Sequence, residues 1–208
     1  DFGDVAVLSA SPELFFSFDE TGRIRTRPMK GTRRRGLWTA EDDQLRESLE
    51  ASLKDRAENL MIVDLLRNDL GRIAESGSVD VTALWDVEQY DTVWQMTSTI
   101  MGQVRRDVGL HALLAALFPC GSVTGAPKVR ASEIIAELEI GPRGAYTGTI
   151  GYISPSASNG HSACPPKQDG RALSGMEAVF NVAIRTVVVD REAGLATAGV
   201  GGGITWDS

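Results

Sequence analysis

Apolar positions along this chain alternate between a strand-like and a helix-like period, and each change marks a new element. Val5-Ala6-Val7-Leu8 is a short apolar run, and Leu14-Phe15-Phe16-Ser17-Phe18 is a second. The polar, glycine-containing stretch Asp19-Glu20-Thr21-Gly22 separates the latter from Arg23-Ile24-Arg25-Thr26-Arg27, which predicts a hairpin. From Thr39 to Ile73 the β-type composition disappears and helix is predicted. Thr39 followed by Asp42 has the spacing of an N-cap. Leu45, Leu49 and Leu53 form one apolar stripe, Leu60, Val63, Leu66 and Leu70 form another, and Gly71 offers a stop. β character returns between Val79 and Val104. Short helices are predicted over Leu110 to Phe118 and Ala126 to Leu138, the latter with Pro127 in its first turn. Tyr146 to Ile153 and Ala178 to Asp190 read as strands, with Leu195 to Val200 paired to the second. Ser154 to Gly175 is rich in Ser, Pro and Gly, lacks a period, and predicts a long exposed loop.

Strands and helices come in blocks instead of alternating, which predicts an α+β fold. No internal repeat or linker divides the 208 residues, of which 42% are hydrophobic and 24% charged, the balance of a soluble globular domain. No apolar run approaches a membrane span, and Asp1-Phe2-Gly3-Asp4 has no signal-peptide pattern, so the expectation is a cytoplasmic protein without a membrane partner. A net charge of −7 argues against nucleic acid, despite the basic stretch from Arg23 to Arg35. It leaves room for an anionic small molecule in a local basic pocket. Cys120 and Cys164 make no disulfide framework, and His161 is too isolated to complete a zinc site with Cys164.

Several segments carry candidate chemistry. In Arg27-Pro28-Met29-Lys30-Gly31-Thr32-Arg33-Arg34-Arg35 a single lysine follows a strand and precedes a glycine that admits close approach of a ligand. Flanking arginines and burial both favour the neutral amine, which is a nucleophile or base. Composition alone favours a solvated basic turn or a nucleic-acid patch. Glu13, in Ser11-Pro12-Glu13, precedes the hairpin and can approach Lys30 as an acid partner. Glu58, in Asp55-Arg56-Ala57-Glu58-Asn59-Leu60, can offer one carboxylate to Mg²⁺, whereas Asp64 and Asp69 read as structural. Gly121-Ser122-Val123-Thr124-Gly125-Ala126-Pro127-Lys128 feeds a helix N-terminus suited to an anion, but lacks the Gly-Lys-Ser/Thr ending of a nucleotide phosphate loop. Tyr146 stands between small residues. Arg185 is predicted in an apolar strand, flanked by Ile184 and Val187, where it must be paired or face a cavity, and a carboxylate clamp is its natural use. Gly199 to Gly203 leaves a strand end almost bare of side chains.

Taken in order, Ser-Pro-Glu, Arg-Pro-Met-Lys-Gly-Thr, Asp-Arg-Ala-Glu-Asn-Leu, Gly-Ser-Val-Thr-Gly-Ala-Pro-Lys, Gly-Ala-Tyr-Thr-Gly, Ala-Ile-Arg-Thr and Gly-Val-Gly-Gly-Gly-Ile resemble the chorismate-utilising enzymes from about Val5 to Ser208. The family includes anthranilate, aminodeoxychorismate, isochorismate and salicylate synthases. The resemblance implies stacked antiparallel sheets with flanking helices. It also implies that residues 1–208 are the C-terminal portion of a chorismate-binding domain, with an N-terminal half and an extreme C-terminus, bearing a second Mg²⁺ glutamate, lying outside them. By motif, Glu13 resembles the general acid and Glu58 the first Mg²⁺ ligand. Tyr146 and Arg185 resemble contacts to the enolpyruvyl carboxylate. Ser122, Gly201 and Gly202 resemble the remaining pocket wall. Lys30 matches the aminodeoxychorismate synthase component I subfamily, where anthranilate-type enzymes carry alanine. That subfamily forms 4-amino-4-deoxychorismate, for 4-aminobenzoate and folate synthesis, from chorismate and ammonia supplied by a glutamine amidotransferase. Its lysine attacks C2 of chorismate before the amine enters at C4. Met29 replaces the usual isoleucine, a change that conserves volume. Gln95 stands where many relatives have a histidine beside the substrate ring, which speaks against the anthranilate reading. An anthranilate synthase component I and a truncated, non-catalytic anion-binding module are the alternatives.

Overall fold

The computed structural model describes residues 1–155, 173 and 175–205. The expected loop therefore lies almost wholly outside the described residues, although Ser154 and Pro155 belong to a strand. The elements run β1 (Val5–Ser9), β2 (Leu14–Phe18), β3 (Arg23–Arg27), β4 (Met29–Arg34), α1 (Thr39–Glu50), α2 (Leu53–Gly71), β5 (Asp80–Gln89), β6 (Val93–Gln103), α3 (Leu110–Leu117), α4 (Gly121–Thr124), α5 (Lys128–Leu138), β7 (Thr149–Pro155), β8 (Met176–Val182), β9 (Thr186–Asp190) and β10 (Leu195–Ala198). No single helix among the described residues is long and apolar enough to cross a membrane.

Among the described residues every strand pairing is antiparallel. A seven-stranded sheet has the order β4-β6-β3-β2-β8-β7, with β5 also on β6; β1, β9 and β10 form a separate three-stranded sheet. This is the α+β arrangement that the block-wise pattern predicts. The β2–β3 hairpin forms as expected, its turn closed by Asp19, whose carboxylate accepts from the N–H groups of Thr21 and Arg23. β3 and β4 are successive lengths of one ribbon along β6, since Thr26 faces Ile100 and Met29 faces Thr97. Pro28, which has no N–H for the ladder, divides them, and its carbonyl accepts from Ser98 N.

One face of the large sheet is covered by helices. Phe15, Phe16, Ile24 and Ile100 from the strands meet Ile62, Val63, Leu66 and Leu70 of α2 and Leu113 and Leu117 of α3. A second cluster sets Leu49 of α1 against Trp94 and Met96 of β6. Both predicted helical stripes are trimmed. Leu53 is exposed because α1 ends at Glu50 and a new helix starts there, and Leu60 yields its core place to Ile62. Thr39 is not a cap: Trp38 holds that position without a side-chain bond, and the Asp42 carboxylate is drawn instead to Arg35, Gly36 N and Trp94 Nε1. Pro127 is likewise the N-cap residue of α5 and not part of its first turn.

The predicted strand from Ala178 to Asp190 is two strands in two sheets. β8 ends at Val182 and β9 begins at Thr186, and between them Arg185 takes φ 49°. An apolar run continuous in sequence cannot reveal such a break, because both halves bury side chains.

Candidate active site

Leu14 pairs with Arg27, so the residue before β2 meets the segment that follows β3. Glu13 is buried there, beside Met29 and Lys30, and its carbonyl accepts from Val182 N at 3.1 Å. Lys30 Nζ donates to the carbonyl of Ser122 at 3.0 Å, across 92 residues of sequence. Burial holds the Glu13 carboxyl above its ordinary range, against the opposing pull of the Ser122 hydroxyl, Lys30 and the Met29 N–H. The approach of Glu13 toward Lys30 is thus as the hairpin predicts, and Ser122, far along the chain, joins them. The arginines around Lys30 are each engaged with carboxylates: Arg33 with Asp55, Arg34 with Glu41, and Arg35 with Asp42 and over the Trp94 ring.

Ser122 is presented by α4. Gly121 permits this, because a Cβ there would run into Leu65 of α2. Cys120 lies on the same turn, buried, with its Sγ 3.2 Å from Ser122 Oγ. Burial first, and the nearby Glu13 second, push its thiol up to about 11, so it is a packing residue of the site wall and not a nucleophile. Lys128 reaches back from α5 to the buried Asp69 of α2 at 2.5 Å and to Leu117 O at 2.8 Å, which ties the loop to the core. Asp69 is structural, as its sequence context suggests.

A second group assembles around Tyr146. This residue lies in a turn before β7, not in a strand as predicted. The turn is fixed by Thr147 N donating to Ala183 O and Ala183 N donating to Gly148 O. The tyrosine ring lies against the glycine segment after β10. A Cβ on Gly199 would overlap the ring, and one on Gly201 would come within 2.7 Å of the phenol oxygen. Gly201 and Gly202 are exposed, as is Arg185, which has no ion-pair partner among the described residues. The expectation of a strand arginine inside an apolar layer is corrected: Arg185 occupies the turn between the two sheets, its carbonyl accepting from Ala10 N. Arg143 bridges the two groups, donating to Val123 O at 3.0 Å and lying 3.4 Å from Thr147 Oγ1 while it pairs with Glu139.

Glu58 stands apart. It is half-buried on α2, 4.0 Å from Lys54, and no hydrogen bond or ion pair among the described residues joins it to Glu13 or Lys30. Its helix is nevertheless positioned by the site, since Gly31 packs on Asp55 one turn earlier. Asn59 beside it is fully buried and accepts from Ser98 Oγ at 2.5 Å, so Asn59 turns into the sheet while Glu58 stays near the surface. Among the described residues no three Asp, Glu, His or Cys side chains gather to hold a metal. Glu58 alone does not fit a complete Mg²⁺ site. The sequence gives no sign of the roles of Asn59 and Arg143, because Ser98 lies 39 residues from Asn59 and Val123 lies 20 residues from Arg143.

Residues 1–163 match the model of the chorismate binding enzyme family. The aminodeoxychorismate synthase of Streptomyces pristinaespiralis is 46% identical over 203 residues, covering 98% of this chain and 25% of that protein. Anthranilate synthase component 1 of Aquifex aeolicus is 48% identical over 154 residues, covering 74% of this chain and 31% of that protein. The crystal structure of anthranilate synthase component I from Streptococcus pneumoniae superposes with a TM-score of 0.72 at 37% identity, over 90% of this chain and 37% of the other. The chain spans between 25% and 37% of the length of these relatives. With its antiparallel sheets and its convergent Glu13, Lys30 and Ser122, this chain belongs to the chorismate binding enzyme family.

Proposed function

We propose that residues 1–208 are the C-terminal portion of a chorismate-binding domain, in a polypeptide that converts chorismate and ammonia to 4-amino-4-deoxychorismate. The observation that carries this reading is the approach of Lys30 and of the buried Glu13 to the same residue, Ser122. In the proposed sequence the Lys30 amine forms a bond to C2 of the ring. Both ring double bonds shift, and the C4 hydroxyl leaves as water with a proton from Glu13. Ammonia then bonds to C4, the double bonds return, the C2–Nζ bond breaks to release Lys30, and the surplus proton of the incoming nitrogen returns to Glu13. The sum is chorismate plus ammonia giving aminodeoxychorismate plus water. A carboxyl whose hold on its proton is strengthened by burial is suited to the acid role. Ammonia would come from a glutamine amidotransferase subunit or domain. Tyr146, Arg185 and the backbone at Gly201 and Gly202 would hold the enolpyruvyl carboxylate, with Ser122 on the opposite wall. Glu58 would give one oxygen to a Mg²⁺ ion that neutralises the ring carboxylate, and the other protein donors would come from beyond these residues.

An anthranilate synthase is the second reading, since relatives of that name match comparably well. Lys30 favours the first. Product analysis on the full-length polypeptide with chorismate and an ammonium salt decides between them. Aminodeoxychorismate is expected, Lys30→Ala should lower or divert its formation about 100-fold or more, and anthranilate from the unsubstituted protein would overturn the assignment. The 208 residues alone are expected to be inactive, and turnover by them would refute the need for further metal donors.

A further inference from the structure

We infer that Gln95 is a positioning residue for Lys30, an inference that rests on the proposed nucleophilic role of that lysine. Along the β4–β6 pair, Met29 faces Thr97 and Thr32 faces Gln95. Three steps on β4 thus span two on β6, and the extra residue is taken up at Lys30-Gly31 as a bulge. Gly31 adopts φ 90°, open to glycine, and a Cβ there would come within 2.9 Å of Asp55 Cβ. A bulge leaves its extra residue without a ladder partner and re-aims the side chain it carries. Gln95 supplies the missing partner. Its Nε2 donates to Gly31 O at 2.7 Å, and its Oε1 accepts from Thr32 Oγ1 at 2.8 Å.

Both ends of the amide are therefore spent on the two residues after Lys30, and the side chain is only 8% exposed. The root of the lysine is fixed by Gln95 and its tip by Ser122 O at 3.0 Å, which places it beside Glu13. Few side chains do this from one position. Leucine matches the shape but offers neither group, and a carboxylate would set a second acceptor against Gly31 O. Loss of the amide frees the bulge, and the lysine then loses its approach while the carboxylate contacts around Tyr146 stay intact.

The test uses the full-length polypeptide with chorismate and an ammonium salt, read as kcat, KM for chorismate, product identity and Tm. Gln95→Leu should lower kcat about 30- to 100-fold with KM changed less than about 3-fold, as a small misplacement of a reacting group does. Thr32→Val, which removes one of the two bonds, should lower kcat about 5-fold. On a Lys30→Ala background Gln95→Leu should cause no further loss, because its effect passes through the lysine. A kcat within about 2-fold of the parent in Gln95→Leu, or a further 10-fold loss on the Lys30→Ala background, overturns the inference. Where Gln95→Leu does not fold, Thr32→Val decides, and an unchanged kcat there overturns it. A Lys30→Ala protein that still makes aminodeoxychorismate at the parent rate refutes the nucleophile itself, an outcome distinct from a failure of Gln95.

Discussion

The two sheets carry different parts of the candidate site and are built differently. The seven-stranded sheet holds Glu13 and Lys30 against a layer of helices, with Phe15, Phe16, Ile24, Met96 and Ile100 all at or below 1% exposure. The three-stranded sheet has Arg185 at its junction with the large sheet and, in the tail that follows it, Gly201 and Gly202 near Tyr146 of the turn before β7, and it is thinly covered: every residue of β10 is exposed, as are Leu8 and Val200. The pair proposed for chemistry is thus held by a packed core, whereas the surface proposed to hold the second carboxylate is not enclosed by these residues. Pre-organisation is concentrated where a bond is to be made, and little of it is spent on binding.

If that contrast is real, a deep cut in the large sheet should be costly. Phe16 is fully buried, with its ring stacked on Phe180 at 4.9 Å. Phe16→Ala is expected to destabilise the chain by about 3–5 kcal/mol, read from the denaturant midpoint. A loss below about 1 kcal/mol would place the stable core elsewhere and remove the basis of the comparison.

A smaller effect should follow from Glu13 and should depend on pH. Its folded-state pKa is raised above 4.5, so the folded chain binds the proton more tightly than the unfolded chain does. The associated stability is fully present below the unfolded value and is lost as pH rises through the folded value. Glu13→Gln removes this titration. The variant should gain stability relative to the parent as pH rises from about 4.5, with the gap closing in acid. Parallel stability–pH curves for the two proteins would mean that the carboxyl is not held in a dry site.

Much of this architecture was legible in the sequence. The β2–β3 hairpin, the α2 helix with its stop at Gly71, the long β5–β6 stretch and the convergence of Glu13 with Lys30 all follow from local period, turn chemistry and motif. What could not be read depends on contacts between distant segments. Asp42 has the spacing of a capping residue, yet Arg35 and Trp94 take its carboxylate. Arg185 sits in an apolar run, yet the chain turns there with positive φ and changes sheet. The bulge at Lys30 exists because one β4 residue has no counterpart on β6, and a single strand carries no mark of its partner's length.

Cys120 sharpens the contrast at a finer level, because it tests the wall of the packed half directly. The buried thiol, pushed up to about 11, should react with an aromatic disulfide reagent about 100-fold more slowly in the folded chain than after unfolding, measured on a Cys164→Ser background so that one thiol is counted. Fast labelling at neutral pH would open the wall beside Glu13 to solvent.

The smallest expected effect lies on the other sheet. Leu195 faces Asp190 in the β9–β10 pair, and its side chain is 63% exposed. Truncation there removes few contacts, so Leu195→Ala should change stability by no more than about 0.5 kcal/mol. The same leucine-to-alanine chemistry in a core costs about 2–5 kcal/mol. A large loss from Leu195→Ala would mean that the small sheet is packed against something in solution, and the carboxylate-binding half of the site would then be as firmly built as the half that carries the lysine.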